Sequence, residues 1–272
     1  FKVCRLRGIP ILTFINKMDH AGRDPLELLD EVERVLGIAA VPVNWPVGEG
    51  PTFQGVYDLR SRRILRFQKT VHNQHRAPVD VTGLDDPRLP ELLGASAARK
   101  LADDIELLEG TVGSFDTQAF LEEKMTPVFF GSALNNFGVE PFLDAVLELA
   151  PAPAPRTTEQ GVIDPSVSVF SGFIFKVQAN LDPRHRDRMA FLRVCSGKFE
   201  KDMTVRHPRL GRDIRLSRAF RIFGREREPI DEAYPGDVIG VISPGLFTIG
   251  DSVTTGDVAP FAAIPRFAPE NF

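Results

Sequence analysis

The residues best suited to chemistry in this 272-residue sequence lie in two short segments, Asn16-Lys17-Met18-Asp19 and Gly131-Ser132-Ala133-Leu134. A carboxylate accepts hydrogen bonds and donates none, so Asp19 suits a ligand edge carrying two adjacent donors. Guanine offers that edge through N1–H and N2–H, and adenine does not. Asn16 can donate to a purine N7 and accept from neighbouring backbone, while the Lys17 stem can lie along a base face with its ammonium directed away. From the second segment a backbone N–H can face the base oxygen O6. Three fixed residue types within four positions arise by chance roughly once in several thousand positions at average usage. The competing reading is that Asn16, Asp19 and Ser132 merely cap helices or turns, as these residue types do in most proteins.

Both segments follow apolar runs that read as strands. Residues 9–15 (IPILTFI) are continuously apolar, the pattern of a strand covered on both faces in a parallel α/β sheet. A helix is expected after it: Asp24 supplies an N-cap, Pro25 a first helical residue and Glu27 a capping-box acid. Leu28, Leu29, Val32, Val35 and Leu36 then recur at helical spacing until Gly37. Residues 127–131 (PVFFG) read as a second buried strand, followed by the loop SALNNFG and a helix carrying Phe142, Leu143, Val146 and Leu147. Two strand–loop–helix units imply an open α/β sheet, in which ligands sit at the carboxyl ends of the strands.

Residues 1–150 are therefore expected to form one α/β domain, with an inserted subdomain at about 46–125. Its strand-like runs FQGVYDL and RRILRF precede an acidic, amphipathic helical stretch over 91–108. The alternating prolines of 150–155 cannot continue a helix and favour an extended linker, assigned to 151–160. Beyond it, runs such as RMAFLRVCSG, MTVRH and DVIGVIS alternate with turn signals at Ser196-Gly197, Pro235-Gly236 and Pro244-Gly245. That pattern predicts a small closed antiparallel β-barrel over 161–262, with 263–272 opening a connection onward. The fold class expected is thus α/β plus all-β.

Composition excludes several classes. Two cysteines, Cys4 and Cys195, are too few for a disulfide scaffold, which places the protein by default in a reducing, cytoplasmic setting. No apolar run approaches the roughly 20 residues that span a bilayer. The net charge of −4 hides an asymmetry, because residues 176–227 hold 15 Lys plus Arg against 6 Asp plus Glu. Such a surface can hold RNA phosphates, or it can be only a solvated barrel face. In DIRLSRAFRIF, alternation predicts Ile214, Leu216, Phe220 and Ile222 on one face and Arg215 and Arg221 on the other. His72 and His75 lie in a polar stretch with no third ligand nearby and read as surface residues, so no metal site is expected. Cys195 reads as a small buried hydrophobe and Trp45 as a packing anchor.

With these residues in hand, the sequence resembles a known family. NKMD followed by GSAL is similar to the fourth and fifth guanine-recognition motifs of translational GTPases. GRDPLELLDEVE, NWPVGEG, FQGVYDL and FKVQANLDPRHRDRMAFLRVCSGKFEKDM resemble the peptide chain release factor 3 family, over nearly the whole chain. The resemblance implies a GTP- or GDP-binding, magnesium-dependent, ribosome-activated GTPase of translation termination. It implies the ribosome, including ribosomal RNA near the barrel, and class I release factors as partners, with neither DNA nor membrane among them. The family's base-contacting positions map onto Asn16, Lys17, Asp19, Ser132, Ala133 and Leu134.

Its phosphate machinery does not map. No Gly-x-x-x-x-Gly-Lys-Ser/Thr segment occurs, since Ser196-Gly197-Lys198 is followed by Phe199. Residues 80–83 and 237–240 match Asp-x-x-Gly by letter, but both follow NKMD, whereas the family's switch precedes it, and they read as turns. The chain opens on Phe1 just before a strand-like run, which suggests a piece of a longer protein whose phosphate loop and switches lie upstream. No catalytic residue is expected in it, and it should hydrolyse no GTP. Two alternatives stay open: another translational GTPase, such as an elongation factor G-like or ribosome-protection protein, or a non-enzymatic RNA- or protein-binding module.

Overall fold

The computed structural model describes residues 1–68, 76–178, 188–223, 226–243 and 245–262. The chain divides into two compact units, Phe1–Ala150 and Pro151–Phe272.

The first unit opens with a short helix α1 (Lys2–Arg5), strand β1 (Thr13–Ile15), helix α2 (Pro25–Leu36) and strand β2 (Ala39–Pro42). β1 is shorter than the apolar run suggests, and Ile9 is 47% exposed. The reason is pairing: among the described residues β1 has a neighbour on one flank only. The sequence sets both ends of α2. The Asp24 carboxylate accepts from Leu26 N–H at 2.8 Å, Pro25 needs no donor in the first turn, and Gly37 takes a left-handed φ of 68° as its N–H donates to the Glu33 carbonyl. Val35, counted in the apolar repeat, is exposed instead.

The chain then forms β3 (Asn44–Val47), β4 (Gly55–Asp58), β5 (Arg63–Gln68) and β6 (Arg76–Thr82), paired antiparallel in that order. Helices α3 (Leu89–Leu93), α4 (Ala95–Thr111) and α5 (Thr117–Leu121) follow. The helical stretch expected over 91–108 is thus two helices rather than one, because Gly94 breaks it at a φ of 88°. Asp80 lies in β6 rather than a turn, with Gly83 just beyond it at a φ of 70°. Strand β7 (Met125–Phe130) then inserts between β1 and β2, parallel to both, and helix α6 (Val139–Leu149) closes the unit. Alternation along β7 sends Val128 and Phe130 to one apolar cluster, with Met18, Leu29, Trp45, Ile64 and Leu101. Phe129 points to another, with Val43, Phe120, Ala145 and Leu149. Trp45 is an anchor as expected, fully buried edge-on to Phe130, with its Nε1–H donating to Asp104 Oδ2 at 3.1 Å.

In the second unit the chain is without helix or strand only as far as Pro155. The linker assigned to 151–160 ends early, because β8 (Arg156–Thr158) and β9 (Gly161–Ile163) form a hairpin where the prolines stop. Next come β10 (Ser171–Gln178), β11 (Arg188–Ser196), β12 (Phe199–Glu200), β13 (Thr204–His207), β14 (Arg212–Arg215), β15 (Ala219–Phe223), β16 (Glu226–Pro229), β17 (Glu232–Ala233), β18 (Val238–Ser243) and β19 (Ser252–Thr254). Eight of them make one antiparallel sheet in the order β14-β13-β19-β10-β11-β18-β15-β16 around a core that includes Ile174, Leu192, Val194, Ile239 and Val253. The antiparallel all-β unit expected from the sequence is thus present, with β14 and β16 at the ends of its large sheet among the described residues. The short β12–β17 ribbon pairs on its own, and those strands adjoin β13 and β16 along the chain. The alternation read across DIRLSRAFRIF is interrupted at residues 216–218: Leu216 and Ala219 are buried while Phe220 and Ile222 are half-buried. Asp237 lies in a turn, but residues 238–240 belong to β18. His72, His75, Arg184, Arg186, Arg225, Pro244 and residues 263–272 fall outside the described residues.

One polar cluster here is built on a buried pair, Asp251 and His207. Asp251, its side chain 3% exposed, receives Arg209 Nε–H at 2.6 Å, Arg209 Nη2–H at 2.9 Å, Thr248 N–H at 2.7 Å and the Thr248 hydroxyl at 3.1 Å. His207 Nε2 lies 3.0 Å from it, and the other ring nitrogen, Nδ1, faces Leu210 N–H at 3.4 Å. Cys195 is buried as expected, which pushes its thiol up to about 11.

Candidate guanine-binding site

The two motif segments leave adjacent parallel strands, β1 and β7, at the same end. Backbone hydrogen bonds join them as they leave: Gly131 N–H donates to the Ile15 carbonyl and Met18 N–H to the Gly131 carbonyl, both at 3.0 Å. Gly131 cannot carry a side chain, because a Cβ would stand 2.3 Å from the Phe137 carbonyl oxygen and 2.7 Å from the Phe14 ring. Ser132 and Phe137 exchange both backbone hydrogen bonds at 2.9 Å, so residues 133–136 form a short excursion pinned at its base. Gly138, at a φ of 74°, ends it against the Phe130 carbonyl.

Within the first segment, Lys17 adopts a left-handed φ of 70°, uncommon for a residue with a side chain. The turn is held from two directions. Asn16 Oδ1 accepts from Lys17 N–H at 2.7 Å and from Ala133 N–H at 2.9 Å, tying one loop to the other. His20 N–H donates to the Lys17 carbonyl, while Gly50 N–H, from the segment between β3 and β4, donates to the Met18 carbonyl. Met18 is the buried anchor of the turn, which turns Asn16 and Lys17 outward and leaves Asp19 half-buried.

Asp19 meets the second loop through a residue the sequence reading missed. Asn135 Nδ2 donates to Asp19 Oδ2 at 3.0 Å and to Ser132 Oγ at 3.1 Å. Ser132 itself is fully buried. Its hydroxyl is the largest influence holding the Asp19 carboxyl below the usual carboxylate range, joined by the Asp19 backbone, His20 and the Asn135 amide against the opposing effect of burial. Asp19 Oδ1 is enclosed and has no hydrogen-bond partner. The structure therefore gathers Asn16, Asp19, Ser132 and Ala133. Lys17 stands exposed at the rim, and Leu134 is 81% exposed. A second asparagine in SALNN was the available signal for Asn135, but which of the two adjacent amides faces inward depends on the loop.

Comparisons with known proteins decide the family. The family described as Elongation factor Tu GTP binding domain matches residues 1–152. The chain belongs to that family. Elongation factor G domain 2 matches residues 169–256. Proteins named peptide chain release factor 3 match all 272 residues: one from Gloeobacter violaceus is 54% identical, one from Nostoc punctiforme 53% and one from Symbiobacterium thermophilum 49%. The resemblance read from the motifs is thus borne out along the full chain. The chain spans about half the length of these curated relatives, 51%, 50% and 52% respectively. A crystal structure of a Thermus thermophilus protein has the same fold at a TM-score of 0.66, with 22% identity over 97% of this chain and 39% of that one.

Proposed function

We propose that this chain is the base-reading part and the second domain of a GTP-binding translation termination factor, one that promotes recycling of class I release factors from the ribosome after peptide release. The observation that carries the base reading is the enclosed, unpartnered Oδ1 of Asp19. A buried acceptor left without a donor costs free energy, and a ligand donor relieves that cost. In this reading guanine N1–H and N2–H reach the Asp19 carboxylate, the Asn16 amide donates to N7, and the Lys17 stem covers one base face. Ala133 N–H is already given to Asn16, so the base oxygen is left to the next N–H groups, those of Leu134 and Asn135, which make no hydrogen bond among the described residues.

GTP or GDP is the nucleotide proposed. Magnesium, which the family implies at the phosphates, is proposed for the full-length protein; among the described residues no three His, Cys, Asp or Glu side chains converge. The sequence also lacks a phosphate-cradling Gly-x-x-x-x-Gly-Lys-Ser/Thr loop. The 272-residue chain is therefore expected to hold guanosine weakly through its base and to hydrolyse no GTP. Measurable GTP turnover by the purified chain would refute the second statement. For the first, NMR titration should show chemical-shift changes at residues 16–19 and 132–135 with guanosine and not with adenosine; equal responses would sink the base reading.

Ribosomal RNA is the partner proposed for the basic surface of the second unit, in the cytoplasm. Support comes from the excess of Arg and Lys over 176–227, although Arg206, Arg209 and Arg215 are each paired with an aspartate in the same unit. No helix among the described residues is long and apolar enough to cross a membrane.

A further inference from the structure

We infer that Asn135 is a specificity-determining positioning residue, one that orients the Asp19 carboxylate for a two-donor base edge. The inference rests on the base reading proposed above and adds a residue to it.

Three observations carry it. First, the Asn135 amide bridges Asp19 Oδ2 and Ser132 Oγ, at 3.0 and 3.1 Å, and leaves Asp19 Oδ1 without a partner. Of the two ends of an amide only the NH2 can face a carboxylate, so the orientation of Asn135 follows from the contact itself. Second, the bridge is built on a rigid base. Ser132 is fully buried and its backbone is paired on both sides to Phe137, so Asn135 projects from a loop whose ends cannot drift apart. Third, the remaining donors do not fix the carboxylate plane by themselves: the Ser132 hydroxyl, which helps hold the Asp19 carboxyl down, is itself held by Asn135, and His20 is 67% exposed and 3.5 Å from Oδ2.

The chemistry explains why an amide suits this position. Reading N1–H and N2–H together requires both carboxylate oxygens to lie in the plane of the base, and an aspartate has a broad, soft torsion about its last bond. A donor clamped on Oδ2 removes that freedom. A lysine there would also donate, but its charge would offset that of the carboxylate and weaken its pull on the ligand. A neutral amide orients without neutralising. Oδ2 retains a second lone pair for the ligand's exocyclic amine, and Oδ1 takes N1–H once the groups that enclose it give way to the base.

Inosine tests this because it keeps N1–H and lacks the exocyclic amine. In the unmodified 272-residue chain, NMR titration should give tighter binding of guanosine than of inosine. Asn135→Ala should lower guanosine affinity about three- to tenfold, the usual scale for one hydrogen bond to a charged group, and leave inosine within about twofold, so the preference collapses. Asn135→Asp, which keeps the shape but cannot donate, should lose at least as much. Equal weakening of both nucleosides would overturn the inference, since it would make Asn135 only a brace for its own loop, and so would no change in either. If the unmodified chain fails to prefer guanosine over adenosine, the base reading itself fails and takes this inference with it.

Discussion

Asp19 in the first unit and Asp251 in the second are both withdrawn from solvent, with side chains 20% and 3% exposed, yet their oxygens are used in opposite ways. Asp251 is saturated. Arg209, Thr248 and His207 supply donors to both of its oxygens, and the last turn of the chain before β19 is wrapped around it. Asp19 has the Asn135 amide on Oδ2 and the Ser132 hydroxyl beside it, and its Oδ1 makes no hydrogen bond within the protein. Both carboxyls lie below the usual range. For Asp251 burial pushes upward, but the Arg209 and Thr248 donors together with His207 outweigh it and hold the group at about 2. The difference teaches that a lowered carboxyl is not by itself a sign of function. What separates a structural carboxylate from a candidate binding one is whether the protein has used up its lone pairs.

Isosteric removal of charge gives the strongest test of that contrast. Asp251→Asn should destabilise the second unit by about 3 kcal/mol in urea unfolding, because Arg209 loses its ion pair and the new NH2 meets donors instead of serving as an acceptor. A change below about 1 kcal/mol would mean that the cluster is not a keystone. The same contrast has a pH signature. The folded carboxyl lies below its ordinary value of 3.8, so its contribution is fully present above about pH 4 and is lost as pH falls toward 2. That contribution is about 2 kcal/mol, and Asp251→Asn should flatten unfolding curves across that window.

Gly138→Ala should come next, at about 2 kcal/mol, because the new Cβ would stand 2.6 Å from the Phe130 carbonyl oxygen at a φ of 74°. It should also loosen the Asn135 loop, seen as faster amide exchange at residues 133–137. Asp24→Ala removes the cap of α2 and an exposed 3.8 Å ion pair with Lys100, and should cost about 1 kcal/mol. Asp19→Asn should have the smallest effect on stability, within about 1 kcal/mol in either direction, because little in the fold depends on its free oxygen. Its effect on recognition should be large: the amide rejects guanosine and favours xanthosine, whose O2 meets the new donor. Unchanged guanosine preference in that variant would erase the contrast between the two carboxylates.

Much of this was legible in the sequence where the signal is local. Asp24, Pro25 and Gly37 marked both ends of α2, because capping is settled within a turn of the residue that does it. NKMD and GSAL announced their chemistry because donor and acceptor types are properties of side chains. Signals that depend on partners misled. The apolar run 9–15 overstated β1, since strand length is set by a neighbour's register, and Val35 fitted the helical repeat yet faces solvent. DIRLSRAFRIF kept its alternation in letters but not in space, because the chain changes strand at residues 216–218. His207, Arg209 and Asp251 gave no warning of a cluster, being up to 44 residues apart.

The sequence by itself determined which groups can accept, donate or carry charge, where helices cap, and where proline ends regular structure, since each of these follows from covalent chemistry or from a few neighbouring residues. Tertiary structure alone decided that Asn135 rather than Asn136 meets Asp19, that one oxygen of that carboxylate is left without a hydrogen-bond partner, and that both oxygens of Asp251 are used. Those outcomes depend on how chain segments more than forty residues apart, and in the first case more than a hundred, are brought to within 3 Å, and no local preference encodes that distance.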